Sequence, residues 1–391
     1  MTAKNTIYYT CKRLLWLASV ISVGCKEHYR PPVITTNRNY LVVDGVIVSG
    51  NDSTIIKLSR TIRISDTILP APETGATVIV KGESGDQYPL TEEGGGRYVS
   101  AGLKLNVNQQ YQLTINTTDG KLYESDFVEV KQSPPIDSVY WYQDKNNNVE
   151  VGVSTHDPLN QAKYYRWEYA ETWIYHTKYY STVDWVDSQV VLRPPNEQVY
   201  YCWSSEKSGN VNIYSTAKLA DDVASNIHVA EVPNSSEKIG YTFSILVNQY
   251  ALTKDAYDFW DELKQNTEQL GTLFDPQPGQ VPTNIQCVND PGQVVIGYVS
   301  VSSLQQQRIF INRAQLKYWD FVPYFDYYTD YCVRRIVPED SMNYFFPANK
   351  PSRYVIVGED HVQPTTYELM FYACADCRDH GGTNIKPPFW P

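Results

Sequence analysis

The sequence predicts a mainly β protein: an N-terminal immunoglobulin-like β-sandwich, then a larger fibronectin-like β-rich domain with one inserted helix. Three observations lead there. Tyrosine occurs 32 times against three methionines, and aromatics make up 13% of the 391 residues; flat rings suit a pleated, half-buried surface, whereas helical cores draw on Leu, Met and Ala. Short β-branched and aromatic runs recur between clusters of turn-forming residues. Only one stretch carries helix signals at both ends. With 42% hydrophobic and 20% charged residues the protein is folded rather than disordered, and its length allows two or three domains.

Residues 1–24 read as a secretory signal. Lys12 and Arg13 precede the apolar run Leu14 to Ile21, and Ser22-Val23-Gly24 leads directly to Cys25. About eleven apolar residues fall short of the about 20 that a permanent span needs. Gly24-Cys25 resembles the lipobox of bacterial lipoproteins, with Ser22 standing where such motifs usually carry Leu, and marks Cys25 as the lipidation site. Several acyl chains on one residue make a firm membrane anchor. Residues 25–38, polar and containing Pro31-Pro32, are then a lipidated tether. Lys26-Glu27 resembles the charged signals that send Bacteroidota lipoproteins to the outer face of the outer membrane. Removing the signal takes away Lys4, Lys12 and Arg13 and no acid, so the formal charge moves from −11 to −14. Such a protein has no basic stripe to release counterions from a phosphate backbone, which excludes nucleic acid as a partner class.

The sandwich occupies residues 39–132. Strands are expected at Leu41–Val48, Thr54–Ser59, Thr77–Lys81, Tyr88–Thr91, Tyr98–Ala101, Tyr111–Asn116 and Leu122–Val130, a spacing typical of a sandwich. The breaks carry turn chemistry, as in Gly50-Asn51-Asp52 and Gly94-Gly95-Gly96. The glycine triplet lacks the spacing and the following Lys-Ser/Thr of a phosphate loop, so it reads as a hairpin turn. Leu105, six residues before Tyr111, resembles the tyrosine corner of immunoglobulin-like folds, in which the hydroxyl ties back to upstream backbone.

Gln132-Ser133-Pro134-Pro135 is a joint, and residues 133–391 form the second, β-rich domain. Strands are expected at Val139–Tyr142, Val149–Ser154, Tyr164–Trp173, Val211–Ser215, Tyr241–Tyr250, Val294–Val301 and Arg308–Ile311. Between them lies the helix, near residues 253–270, with Thr253 as N-cap, Asp255 and Asp258 at the positive end of the dipole and Gly271 at the C′ position. Ala256, Trp260, Leu263, Thr267 and Leu270 form the stripe expected to pack on the second sandwich. Asp255, Asp258, Asp261 and Glu262 read as its solvated face rather than a catalytic pair. Leu273 to Gly279 is expected as a rigid exit loop.

Five cysteines follow the anchor: Cys202, Cys287, Cys332, Cys374 and Cys377. An oxidising compartment makes them disulfide candidates, and an odd number allows two bridges and leaves one thiol. Cys374-Ala375-Asp376-Cys377, with His380 beyond, has the spacing of half a zinc site or of a redox pair. A zinc site needs a second close pair, and the redox motif belongs in a βαβ unit, neither of which the sequence offers. Structural bridges tying this segment to Cys287 or Cys332 are expected, with the pairing open. No metal or cofactor is expected.

Chemistry-bearing motifs are absent: there is no His-Glu-x-x-His, no Gly-x-Ser-x-Gly and no phosphate loop. Aromatics cluster instead, in Tyr164 to Trp185 and Tyr318 to Tyr331. Alternation puts Tyr165, Trp167 and Tyr169 on one strand face, expected to be core, with Tyr164, Arg166 and Glu168 opposite. The candidate binding aromatics are Tyr164, Tyr175, Tyr179, Trp185, Tyr324 and Tyr327, amphipathic rings suited to a peptide or glycan if they are surface and not core.

Leu41-Val42-Val43-Asp44-Gly45, Pro135-Ile136-Asp137-Ser138-Val139, the block from Gln249 through Phe259-Trp260-Asp261-Glu262-Leu263 to Pro278, and the ending Cys374-Ala375-Asp376-Cys377-Arg378 to Phe389-Trp390 together resemble the Bacteroidota lipoprotein family catalogued as domain of unknown function 4249. The resemblance implies an outer-membrane lipoprotein, often encoded beside a TonB-dependent transporter, with an immunoglobulin-like first domain, and it implies no reaction. The expected function is therefore a non-enzymatic accessory to such a transporter, anchored by lipid in the outer membrane and facing the cell surface. A structural or adhesive surface protein is the alternative, and an envelope glycan hydrolase, which would need converging acids in a cleft, is the third.

Overall fold

The computed structural model describes residues 39–62, 71–268, 282–323, 332–348, 350–357 and 366–391. The signal segment, Cys25 and the tether, Leu270, Gly271 and the exit loop, Tyr324 and Tyr327 lie outside the described residues.

Strand alternation builds the first core. β1 (Leu41–Ser49), β2 (Thr54–Arg60), β3 (Ala71–Pro72), β4 (Thr77–Gly82), β5 (Gln87–Glu92), β6 (Arg97–Ser100), β7 (Gln110–Asn116), β8 (Leu122–Ser125) and β9 (Val128–Glu129) follow the expected spacing. Their inward residues, among them Ile47, Leu58, Tyr98, Leu113 and Tyr123, form one apolar cluster. The expected strand Leu122–Val130 is two short pieces, because Asp126 N–H turns away to the Asn284 carbonyl (2.7 Å). The tyrosine corner is present: Tyr111 is buried and its hydroxyl accepts the Asn106 N–H at 2.7 Å. Between β5 and β6 the Gly94–Gly96 turn has positive φ throughout, and a Cβ on Gly96 would lie 2.2 Å from the Leu58 carbonyl oxygen, so only glycine closes this hairpin.

The second core is a sandwich of unequal layers. β10 (Ile136–Gln143), β11 (Val149–His156) and β17 (Val223–Val232) form a three-stranded sheet. It packs Val139, Val149, Val151 and Val153 against Tyr165, Trp167, Phe243, Ile245 and Val247. Those partners sit on β12 (Tyr164–His176) and β18 (Thr242–Ala251), the middle of a sheet flanked by β15 (Tyr201–Lys207), β16 (Asn212–Ser215) and β21 (Ser300–Asn312). Tyr165 and Trp167 are core as alternation predicts, and Trp167 Nε1 donates to the buried Gln249 Oε1 (2.9 Å).

Where the pattern predicts separate strands at Val294–Val301 and Arg308–Ile311, there is a short β20 (Val295–Ile296) and one long β21. The break falls at Gly297 (φ 130°), whose backbone passes so close to β1 that a Cβ would meet the Val43 carbonyl oxygen at 2.1 Å. β1 pairs antiparallel with β2 on one side and parallel with β20 and β21 on the other. β19 (Ile285–Cys287) adds to β8 at the far edge, so a segment from beyond the helix completes the first core. A continuous path β15-β12-β18-β21-β1-β2-β6-β5-β4-β7-β8-β19 thus links both cores.

Helix α1 (Lys254–Glu268) starts as expected, with Ala256 N–H donating to Thr253 Oγ1 (3.2 Å). Its buried face is Ala256 and Phe259, whereas Thr267 is exposed. The expected stripe is therefore rotated, because the helix packs Phe259 on Tyr298 (5.2 Å between rings) and Trp260 under the Arg166 guanidinium (3.6 Å) instead of lying flat on one sheet. On its outer side Asp258 pairs with Lys254, and Asp261 accepts from Gln265.

Candidate functional site

The C-terminal layer is built from pieces too short to fold on their own pattern. β13 (Val183–Val186) and β14 (Gln189–Leu192) make a hairpin closed by Asp187-Ser188, both at positive φ as a two-residue turn requires. Its apolar side packs on the sheet β22-β24-β23, formed by β22 (Arg335–Pro338), β23 (Tyr354–Val357) and β24 (Thr366–Phe371), with the short helix α2 (Met342–Phe345) at the margin. Two disulfides, Cys202–Cys377 and Cys332–Cys374, pin the turn that follows. Cys287 is the leftover thiol, buried in the first core. Of the two expected ties, to Cys287 or Cys332, the one to Cys332 is present, and the second bridge uses Cys202, which the fold brings up on β15, in place of Cys287. The cysteines of the Cys-x-x-Cys segment belong to different bridges, and His380 Nε2 meets Glu237 Oε1 at 2.7 Å, so they form neither a redox pair nor a metal cluster. Among the described residues no group of His, Cys, Asp and Glu could hold a metal ion.

Between hairpin and sheet lies a cleft of about 930 Å³. Trp185 stands in its wall, its ring orientation set by two contacts: Nε1 donates to Asn343 Oδ1 (3.0 Å), and the ring meets Tyr367 edge-on at 6.0 Å. Ser188 donates to the same Asn343 oxygen (3.0 Å), which ties the hairpin tip to α2. Two guanidiniums line the cleft, each on its own carboxylate. Arg193 donates to Asp184 Oδ1 (2.6 Å) and the Val183 carbonyl (3.1 Å); its side chain is 7% exposed, and burial lowers its pKa. Arg378 is held two-pronged by the buried Asp376, Nε to Oδ1 at 2.9 Å and Nη2 to Oδ2 at 2.5 Å, and this bond raises its pKa. Asp376 is 4% exposed and Arg378 49%, so a buried acid aims a half-open cation into the cleft. Donor–acceptor pairs beside a fixed indole suit a polar ligand with apolar faces.

Of the sequence candidates among the described residues, only Trp185 faces this cleft. Tyr175 is buried: its hydroxyl donates to the Cys377 carbonyl (2.8 Å) and accepts the Gly382 N–H (3.0 Å), which makes it a structural tie and not a surface contact. Tyr179 packs against the Cys332–Cys374 cluster beneath Arg334. Tyr164 lies on Tyr257 of α1, 5.2 Å between rings. Sequence reasoning missed Arg193, Asn343, Asp376 and Arg378. The Asp376-Arg378 spacing is visible in the sequence, but only the disulfide-pinned turn brings that pair to the hairpin.

A family model described as domain of unknown function (DUF4249) matches residues 26–308. The chain belongs to this family. The match takes in Trp185 and Arg193 and ends inside β21, so Asn343, Asp376 and Arg378 lie beyond it. No curated relative matches the protein. Among solved structures, one described as "Cytokine receptor complex - Crystal form 2" aligns with 54% of this chain and 90% of its own at 7% identity and a TM-score of 0.17, a likeness that carries no argument.

Proposed function

We propose that the protein is a non-enzymatic lipoprotein, anchored through Cys25 in the outer membrane, that captures a peptide or glycan in the Trp185 cleft and serves a TonB-dependent transporter. The observation that carries this is the cleft itself: a clamped indole between two preorganised carboxylate–guanidinium pairs. Asp184 and Asp376 each already hold an arginine, an arrangement that favours positioning a ligand over acid–base work. The anchor and the compartment rest on the Lys12-Arg13, apolar run and Gly24-Cys25 pattern, and the transporter on the family resemblance.

Isolation of the lipoprotein from detergent-solubilised native outer membranes tests the partner; one β-barrel transporter at near-equal amount is expected, and absence of any stoichiometric barrel removes the accessory role in favour of the adhesive one. Trp185→Ala tests the cleft: ligand affinity on peptide and glycan arrays should fall at least about tenfold. Unchanged binding would move the site elsewhere.

A further inference from the structure

A second cavity, about 670 Å³, opens where the two cores meet. Its floor is the sheet face on which β12, β18 and β21 run side by side. Arg166 stands opposite Tyr250, and Tyr250 opposite Leu304; the next row is Glu168, Asn248 and Gln306. Val46 and Val48 of β1 pack with Tyr250 and Leu304 and extend the apolar part of the floor. Trp260 and Leu263 of α1 form one wall.

The polar groups here are unusually underused. Tyr250 is 7% exposed, yet its hydroxyl bonds no group among the described residues. Burial, reinforced by Glu168, pushes its pKa up, so it remains an O–H donor at neutral pH. The Arg166 side chain is 9% exposed, with the Trp260 ring stacked at 3.6 Å and Glu168 bonded through Nη2 alone. Its remaining N–H groups make no bond among the described residues. Neither group is sealed from solvent: both line the cavity side by side on neighbouring strands, where a ligand oxygen can reach them. Gln306 Nε2 donates to Asn248 Oδ1 (2.8 Å), which leaves the Asn248 side-chain N–H and the Gln306 carbonyl oxygen without a bond among the described residues.

A guanidinium and a phenol side by side match the two oxygens of a carboxylate. One row away, the amide N–H of Asn248 and the amide oxygen of Gln306 match the acceptor and donor of a peptide group, and the apolar floor beside them takes an aliphatic or aromatic group. Lys57 and Lys207 on the rim balance Asp44 and Asp52. We propose that this cavity binds the C-terminal end of a short peptide, with the carboxylate on Arg166 and Tyr250, the last amide on Asn248 and Gln306, and an apolar last side chain on Val46, Val48 and Leu304. The site is separate from the Trp185 cleft and does not rest on that reading.

Calorimetric titration of the purified full-length protein with N-acetyl-Leu-Phe, its C-terminal amide and galacturonate tests the assignment. The free acid should bind saturably, and the amide about tenfold more weakly. Tyr250→Phe, which removes one oxygen and leaves thermal unfolding near wild type, should weaken the acid about fivefold and leave the amide unchanged. Arg166→Lys, which keeps the charge and loses the fork, should likewise narrow the preference for acid over amide. Trp185→Ala should alter none of these values. Equal affinity for acid and amide, indifference to Tyr250→Phe, tighter binding of galacturonate, or no heat at millimolar dipeptide would each overturn the proposal.

Discussion

The first sandwich and the C-terminal layer reach stability by opposite routes. In the sandwich, alternating strands from β1 to β9 fill one apolar cluster with large side chains such as Tyr98, Leu113 and Tyr123, all buried. Among the described residues the layer from Cys332 onward holds two small clusters, one of which consists partly of Cys332, Cys374 and Ala375. To these small clusters the two disulfides add the restraint of closed loops. The contrast teaches that the layer bearing the Trp185 cleft is held by cross-links, which fix position without needing a large core.

The largest test of that contrast is removal of a bridge. Cys202 and Cys377 are 175 residues apart and Cys332 and Cys374 only 42. Loop-closure entropy assigns about 5 kcal/mol to the first and about 4 to the second. Replacing Cys202 and Cys377 by Ala should therefore release the Asp376–Arg378 turn while Leu113 keeps its amide protection in hydrogen exchange. Equal loss of protection in both regions would erase the distinction. Leu113→Ala should cost about 3 kcal/mol in denaturant unfolding and act through the first core, whether the bridges are oxidised or reduced.

A smaller effect belongs to the tyrosine corner. Tyr111→Phe leaves the ring in place but strips the Asn106 N–H of its acceptor, with an expected loss of about 1–2 kcal/mol in the same denaturant titration. The smallest concerns pH. On the outer sheet of the second core, His156 Nδ1 lies 2.8 Å from Asp137 Oδ2, and that hydrogen bond raises the histidine pKa above its ordinary 6.5. A raised folded pKa means the contribution is full below 6.5 and fades as pH climbs through the folded value. Thermal melts should thus show a slight gain from about pH 8 to about pH 6 that His156→Gln abolishes; a gain that survives the substitution would assign it to another group.

Much of the fold is legible in the sequence. The strand spacing, the glycine hairpin, the Thr253 cap and the Tyr111 corner are local: each is decided within a few residues by side-chain period, positive φ or one hydrogen bond. The site is barely legible. Trp185 stands out only as one aromatic among many, and nothing in its neighbourhood announces Asn343, 158 residues away, or the still more distant Arg378. Whether Tyr175 is a surface or a core ring stays open in the sequence, because its burial depends on Cys377 and Gly382 arriving from the far end of the protein.

By itself, then, the sequence determined the β class, the periodic elements of the first sandwich, the helix start and the arithmetic of two bridges with one spare thiol, because these follow from short-range sterics and composition. Only the tertiary structure decided which cysteines pair, why β1 runs parallel to β21 across Gly297, and where Arg166 and Tyr250 stand abreast. Those outcomes depend on contacts between segments far apart in sequence, whose geometry is set when both cores close together and which no local pattern encodes.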